Sequence, residues 1–103
     1  MRILPIVKNC CKIKTYIRFA KKSRSIVLGT DDIAKAIKKC HLILVSNALA
    51  ESSLSKIKQI SEKFSKQLCL IDAQEIEDIL ESKSIKAVAI TDKNLSDAIK
   101  NWL

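Results

Sequence analysis

Glycine and proline are almost absent from this chain of 103 residues, which contains one of each. Sandwiches and barrels made only of strands need many tight turns, and tight turns depend on these two residues, so an all-β fold is disfavoured. The same scarcity argues against flexible linkers and disordered composition. With 48% hydrophobic and 29% charged residues, residues 1–103 are predicted to form a single domain made mostly of regular elements.

Recognisable catalytic patterns are also lacking. The sequence has no glycine-rich nucleotide-binding loop, no nucleophile elbow, no zinc protease motif, and a single histidine, His41. We interpret His41 as structural, and the four acids between positions 75 and 81 as a solvated helix face. The four cysteines form no CxxC pair and predict reduced thiols rather than a metal site. We therefore expect a protein that is not an enzyme and needs no cofactor.

Long apolar runs are missing as well. The early run at residues 3–7 is interrupted by Pro5 and is shorter than the apolar region of a signal peptide. No stretch approaches the roughly 20 apolar residues that span a membrane. We therefore expect a soluble, cytoplasmic protein without a membrane partner.

Acidic residues are absent from the first 30 positions, although these positions carry eight of the 19 lysines and arginines. The whole chain has a formal net charge of +8. Such a basic segment fits either a solvated face or contact with nucleic acid or anionic lipid. The composition favours polyanionic partners without choosing among them.

Hydrophobic periodicity predicts that strands and helices alternate. Apolar residues recur at helical spacing in five segments, which predicts helices at 11–22, 30–41, 52–64, 73–82 and 92–103. Short apolar runs predict strands at 25–29, 42–46, 67–71 and 86–91. For the last helix, Asp92 and Asn94 are both candidate caps. This alternation predicts an α/β sandwich with a largely parallel sheet and helices on both faces.

The only glycine, Gly29, lies at the turn from the first predicted strand to a helix that begins Thr30-Asp31-Asp32. A helix dipole favours acids in the first turn, and Asp31 can pair with Lys35, so the turn has a complete structural explanation. A functional interpretation is also open, because glycine permits close backbone approach and carboxylates accept hydrogen bonds from base amino groups. The exposed edges of non-canonical RNA pairs suit such a turn better than duplex DNA.

Several segments, taken in order, carry a family resemblance. Gly29, Lys35, Ala36 and Ile37 match a G-x-x-x-x-x-K-A-[IV] pattern, LILVSNA follows it, and AVAITD precedes the last helix. In this order the chain resembles the kink-turn RNA-binding ribosomal protein superfamily, which includes ribosomal proteins seven-Ae and thirty-e, and most closely its small bacterial YlxQ-type members. The likeness covers roughly residues 13–103, and residues 1–10 form an N-terminal extension without a counterpart. Residues 22–25 read Lys-Ser-Arg-Ser where the YlxQ type usually has R-A-G-K.

The resemblance implies a three-layer α/β/α sandwich with a four-stranded mixed sheet, and RNA binding without catalysis. Members of the family contact the sheared G·A pairs of a kink-turn with the loop and helix start after the first strand. A second RNA-facing loop precedes the last strand. Together with neighbouring cations, the expected RNA-binding residues are Lys22, Arg24, Gly29, Thr30, Asp31, Asp32, Lys35, Lys38, Lys39, Ser82, Lys83, Ser84 and Ile85.

The expected function is binding of a bent, structured RNA. Ribosomal RNA and the ribosome are the expected partners, and a monomer is the expected state. The alternative is a protein-interaction module on the same fold, in which the basic helix docks on an acidic partner and the Gly29 turn is only a helix start.

Overall fold

The structure, a computed structural model, describes residues 10–81 and 85–101. Each predicted helix and strand has a counterpart there, and Asp92 caps the last helix by accepting a hydrogen bond from the Leu95 N–H. In chain order the elements are α1 (Cys10–Lys22), β1 (Ile26–Leu28), α2 (Thr30–Lys35), a 3-10 turn (Ile37–Lys39), β2 (Leu42–Ser46), α3 (Glu51–Lys63), β3 (Gln67–Ile71), α4 (Ala73–Leu80), β4 (Ala87–Ile90) and α5 (Lys93–Lys100).

The second helix is shorter than its apolar spacing predicts. The prediction of one helix over 30–41 is wrong beyond Lys35, where α2 ends. The N–H of Cys40 then donates to the Ile37 carbonyl at 3.2 Å. This bond spans three residues, as in a 3-10 helix, instead of the four of an α-helix. This 3-10 turn keeps Ile37 buried and leaves Cys40 in an extended conformation that leads into β2.

The four strands form one mixed sheet in the order β1-β4-β2-β3. β4 runs antiparallel to both β1 and β2, and β2 and β3 are parallel. The prediction of a largely parallel sheet is therefore wrong, because the last strand inserts between the first two, and the mixed sheet implied by the resemblance is confirmed. β1, β2 and β3 still point the same way, so their carboxyl ends share one edge of the sheet.

Two apolar cores cover the two faces of this sheet. One packs α1, α4 and α5 around Leu44 and Val88, and the other packs α2 and α3 around Ile43 and Ala89. Adjacent residues of a strand point to opposite faces, which explains how neighbours such as Ile43 and Leu44 enter different cores. All residues of β2 and β4 are buried. The arrangement is the expected α/β/α sandwich.

An ion pair joins α1 to α4. Lys14 Nζ contacts Glu75 Oε2, and the two side chains are 23% and 28% exposed. This hydrogen bond raises the pKa of Lys14 above its ordinary value of 10.5. The interpretation of the acids at 75–81 as a solvated face is wrong for Glu75, because α1 packs over that part of α4.

Three helices end at residues that are not glycine yet have a positive φ: Arg24 (60°), Ser65 (55°) and Glu81 (55°). At the end of α1, the Ser25 N–H reaches back to the Ala20 carbonyl at 2.8 Å, closing a Schellman motif around Arg24. A residue with a Cβ pays about 1–2 kcal/mol for this left-handed conformation. A chain with one glycine therefore ends these helices at some cost in stability.

Candidate nucleic-acid interface

An open depression of about 530 Å³ lies at the edge of the sheet where β1 ends. The β1–α2 turn, the loop after β2, the start of α3 and the start of β4 all contribute to it. Its lining residues are Leu28, Gly29, Thr30, Asp31, Asp32, Leu49, Ala50, Ser53, Lys86 and Ala87. Ligands of open α/β sheets bind outside the carboxyl ends of the strands, so the depression lies where a ligand is expected.

Gly29 shapes this depression through its backbone. Its φ of 90° and ψ of 149° lie in a region that is essentially restricted to glycine. Its N–H donates to the Ala87 carbonyl at 2.9 Å, and its own carbonyl accepts from the Ile33 N–H at 3.0 Å. A Cβ added to Gly29 would meet no atom within 4 Å. The fold thus needs glycine here for the backbone conformation and not for packing.

Asp31 and Asp32 are exposed in the first turn of α2, as expected. Asp31 Oδ1 lies 3.4 Å from Nζ of Lys56 on α3, so the structure pairs Asp31 with the neighbouring helix instead of with Lys35. Because these side chains are 81% and 56% exposed, the pair contributes only about 0–1 kcal/mol to stability. Both carboxylates can therefore accept hydrogen bonds from a ligand.

Sequence reasoning missed two polar residues of the depression, Ser53 and Lys86. The Lys86 carbonyl accepts from the Ser46 N–H at 2.7 Å, which ties the segment before β4 to the end of β2. The position of Lys86 at the start of the strand predicted over 86–91 was a usable signal, because β4 begins one residue later, at Ala87. Ser53 had no such signal, since its place depends on the path of the loop after β2.

Lys35, Lys38 and Lys39 line a second depression, of about 480 Å³, between α2, the 3-10 turn and the end of α3. It shares no lining residue with the first depression. Lys63 lies on its far wall, with Nζ 5.8 Å from the centroid of the Phe64 ring. None of its nine lining residues is acidic, and the five that are not lysines are apolar. These lysines therefore form a groove of their own beside the Gly29 depression.

Lys22 and Arg24 are not brought together with Gly29. Arg24 precedes β1 and Gly29 follows it, so about 10 Å of strand separates the two positions. α1, which ends at Lys22, also packs on the opposite face of the sheet from α2. The two cations belong to a separate basic surface at the other end of the sheet.

Most of the expected second RNA-facing loop is not among the residues that the structure describes. Ser82, Lys83 and Ser84 lie outside the described residues. Ile85 is half-buried and packs against the core formed by α1, α4 and α5. Its side chain therefore has a packing role.

Cys40 and Cys69 are free, buried thiols. Burial raises the pKa of both, and for Cys40 the nearby Lys66 opposes this shift. Protonated thiols are poor nucleophiles and poor metal ligands. Among the side chains of residues 14–81 and 85–101, no group of three or more His, Cys, Asp or Glu could hold a metal ion. In the same part of the chain, every helix is too short or too polar to cross a lipid bilayer.

Comparison with known proteins identifies the fold. No protein-family model matches the chain, and no curated protein matches it. Among solved structures, it is similar to a protein with unknown function from Bacillus halodurans C, with a TM-score of 0.81 and 13% sequence identity. The match covers 88% of this chain and 95% of that one. At this identity the likeness shows the fold alone.

Proposed function

We propose that this protein binds structured RNA at the depression beside Gly29 and recognises a bent element of the kink-turn type. The observation that carries the proposal is the composition of that depression. Residues with carboxylate, hydroxyl and ammonium groups line the depression, next to a turn whose backbone conformation is essentially restricted to glycine. The net charge of +8 adds the long-range attraction that any RNA-binding protein needs.

Each polar group of the depression has a chemical role in this proposal. Asp31 and Asp32 accept hydrogen bonds from amino and imino groups on exposed base edges. The hydroxyls of Thr30 and Ser53 donate or accept, and Lys86 neutralises a phosphate. The base contacts give specificity and the phosphate contact gives position. The resemblance to kink-turn binders supports a bent RNA, with ribosomal RNA in the cytoplasm as the proposed partner.

Titration with a kink-turn RNA and with an unkinked duplex of equal length, at several salt concentrations, tests this proposal. Asp32→Ala removes one base-edge contact and should reduce the preference for the bent RNA by about tenfold. Lys86→Ala should weaken binding to both RNAs, because a phosphate contact carries no sequence information. Lys93→Ala on the exposed surface of α5 is the matched control. Equal affinity for the two RNAs, or a preference that Asp32→Ala leaves unchanged, would refute the proposal.

A protein-interaction module is the second candidate function, and the lysine-lined groove favours it. Its apolar lining residues suit hydrophobic side chains, and its four lysines, Lys35, Lys38, Lys39 and Lys63, suit an acidic peptide. Lys38→Glu combined with Lys63→Glu should then abolish binding of an acidic amphipathic peptide. The same change would leave the preference for bent RNA intact if the two depressions act separately.

A further inference from the structure

Phe19 is the single large hydrophobic side chain within residues 14–81 and 85–101 that is strongly exposed, with 60% of its surface accessible. It lies on α1, whose opposite face is buried in the core through Ile17 and Ala20. One exposed apolar side chain is ordinary on a protein surface. Phe19 differs from such a case because exposed, positively charged side chains lie near it.

Exposed cations surround this ring. Arg18 precedes it, Lys22 follows one turn later on the same side of the helix, and Arg24 lies in the turn after α1. The Ser23 N–H donates to the Phe19 carbonyl at 3.0 Å, so the ring projects from the final, hydrogen-bonded turn. One acid on this side is Glu81, which shares a depression with Arg18 and Lys22. Positive charge therefore dominates the surface around Phe19.

Arg24 strengthens this pattern because the fold does not require an arginine there. Its φ of 60° is a conformation that glycine adopts without steric cost. The chain instead has an exposed cation at this position, close to Phe19 in sequence and at the same end of the sheet.

We propose that Arg18, Phe19, Lys22 and Arg24 form a second RNA-binding surface, on which the Phe19 ring stacks against an unpaired base. The cations bind the phosphates on either side of that base. This inference rests on the proposed function and extends it to a single-stranded segment next to the bent element. Base stacking on an aromatic ring tolerates any sequence, so the second surface adds affinity and not sequence preference.

The observations favour RNA over an anionic membrane as the occupant. A helix that lies on a membrane inserts a broad apolar face. Within residues 14–22, the apolar face of α1 is buried in the core through Ile17 and Ala20, and Phe19 is the one large apolar side chain that is strongly exposed. One ring is insufficient for membrane insertion but is a complete stacking partner for one base.

The distance between the two surfaces determines how long an RNA must be to contact both. They lie at opposite ends of a sheet in a molecule of 29 × 25 × 23 Å. A compact kink-turn held at Gly29 therefore needs a single-stranded tail of several nucleotides to reach Phe19. The second surface should bind this tail.

The experiment compares a kink-turn RNA without a tail and with an eight-nucleotide uridine tail at either end, carrying one 2-aminopurine. In the wild-type protein one tail should raise affinity by at least fivefold and quench the 2-aminopurine fluorescence. Phe19→Ala should abolish the quenching and reduce the gain in affinity to the part that the cations contribute. It should leave affinity for the tailless RNA unchanged, since the side chain is exposed. Phe19→Trp should retain both effects, and Lys58→Ala on α3, across the sheet from α1, is the control.

Other results would overturn the inference. The second surface is refuted if the tail does not raise affinity, or if it raises affinity as much in Phe19→Ala as in wild type. Binding of the tailless RNA would still support the first surface in that case. Vesicles of phosphatidylcholine and phosphatidylglycerol that bind the wild type but not Phe19→Ala, without any tail effect, would assign the surface to lipid. Absence of binding to every RNA would refute this inference and the proposed function together.

Discussion

Gly29 differs from the three left-handed residues in a way that explains where the only glycine lies. Arg24, Ser65 and Glu81 have φ near 55–60°, which L residues adopt at moderate cost. Gly29 has φ 90° with ψ 149°, where a Cβ is far less tolerated. The strand-to-helix turn thus needs glycine more than any of these helix ends does.

Substitution of Gly29 by alanine should lower the free energy of unfolding by about 1–3 kcal/mol, through backbone strain alone. Because the space around its Cα is open, Gly29→Ser should cost nearly as much as Gly29→Ala. Chemical denaturation of both variants measures this. A much larger loss in Gly29→Ser would contradict the open geometry.

Ser96 offers the opposite case, a side chain that the fold would do better without. Its Oγ is fully buried in α5 and finds no hydrogen-bond partner in the described part of the chain. An unsatisfied buried hydroxyl is costly, so Ser96→Ala should raise the free energy of unfolding by about 1 kcal/mol. Ser61→Ala is the control, because Ser61 Oγ donates to the Ile57 carbonyl at 2.7 Å. Thermal unfolding that ranks Ser61→Ala above Ser96→Ala would disprove this reading of Ser96.

At the scale of elements, the end of α3 can be stabilised by glycine. Ser65 is left-handed, and the Lys66 N–H donates to the Ser61 carbonyl at 2.8 Å across it. Ser65→Gly should stabilise the protein by about 1 kcal/mol, because it removes the steric cost of the Cβ. The same change inside α3, Ser55→Gly, should destabilise it by about 0.5 kcal/mol through helix propensity. Urea denaturation should give opposite signs for the two variants.

The pair between α1 and α4 predicts an alkaline loss of stability. The folded pKa of Lys14 lies above its ordinary value of 10.5, so this contribution is complete below pH 10.5 and disappears as the pH rises through the folded pKa. As the pH rises above 10.5, the wild type should therefore lose more stability than Lys14→Met, which lacks the pair. Lys93→Met serves as the control and should follow the wild type. Parallel curves for wild type and Lys14→Met would contradict the pair's role.

Periodicity located the elements well but could not order the strands. A run such as LILVS shows that both faces of a strand are buried, and carries no information on which strand lies beside it. The insertion of β4 between β1 and β2 was therefore invisible to that reasoning. The candidate site met a similar limit: Arg24 is five positions from Gly29 in sequence, yet the strand between them places them at different ends of the sheet.

For the whole molecule, charge should act through two separate surfaces. The salt dependence of RNA affinity counts the phosphates that the protein neutralises. Lys86→Ala should reduce the slope of log affinity against log salt by about 1 for the tailless kink-turn RNA. Lys22→Ala should leave that slope unchanged and reduce it only for the tailed RNA. If Lys86→Ala and Lys22→Ala reduce the slope equally for the tailless RNA, the protein binds that RNA through its overall positive charge and not through two separate surfaces.

The position of β4 in the sheet also determines when the sheet can form during synthesis of the chain. During synthesis, β1 and β2 leave the ribosome long before residues 87–90, but β4 is the neighbour that each of them requires. Until β4 emerges, β1 has no partner and the Gly29 N–H lacks the Ala87 carbonyl that holds it. The sheet, and with it the proposed RNA-binding edge, can therefore be completed only after β4 has been synthesised. A nascent chain that stops before Ala87 would lack this edge, whatever helices it had already formed.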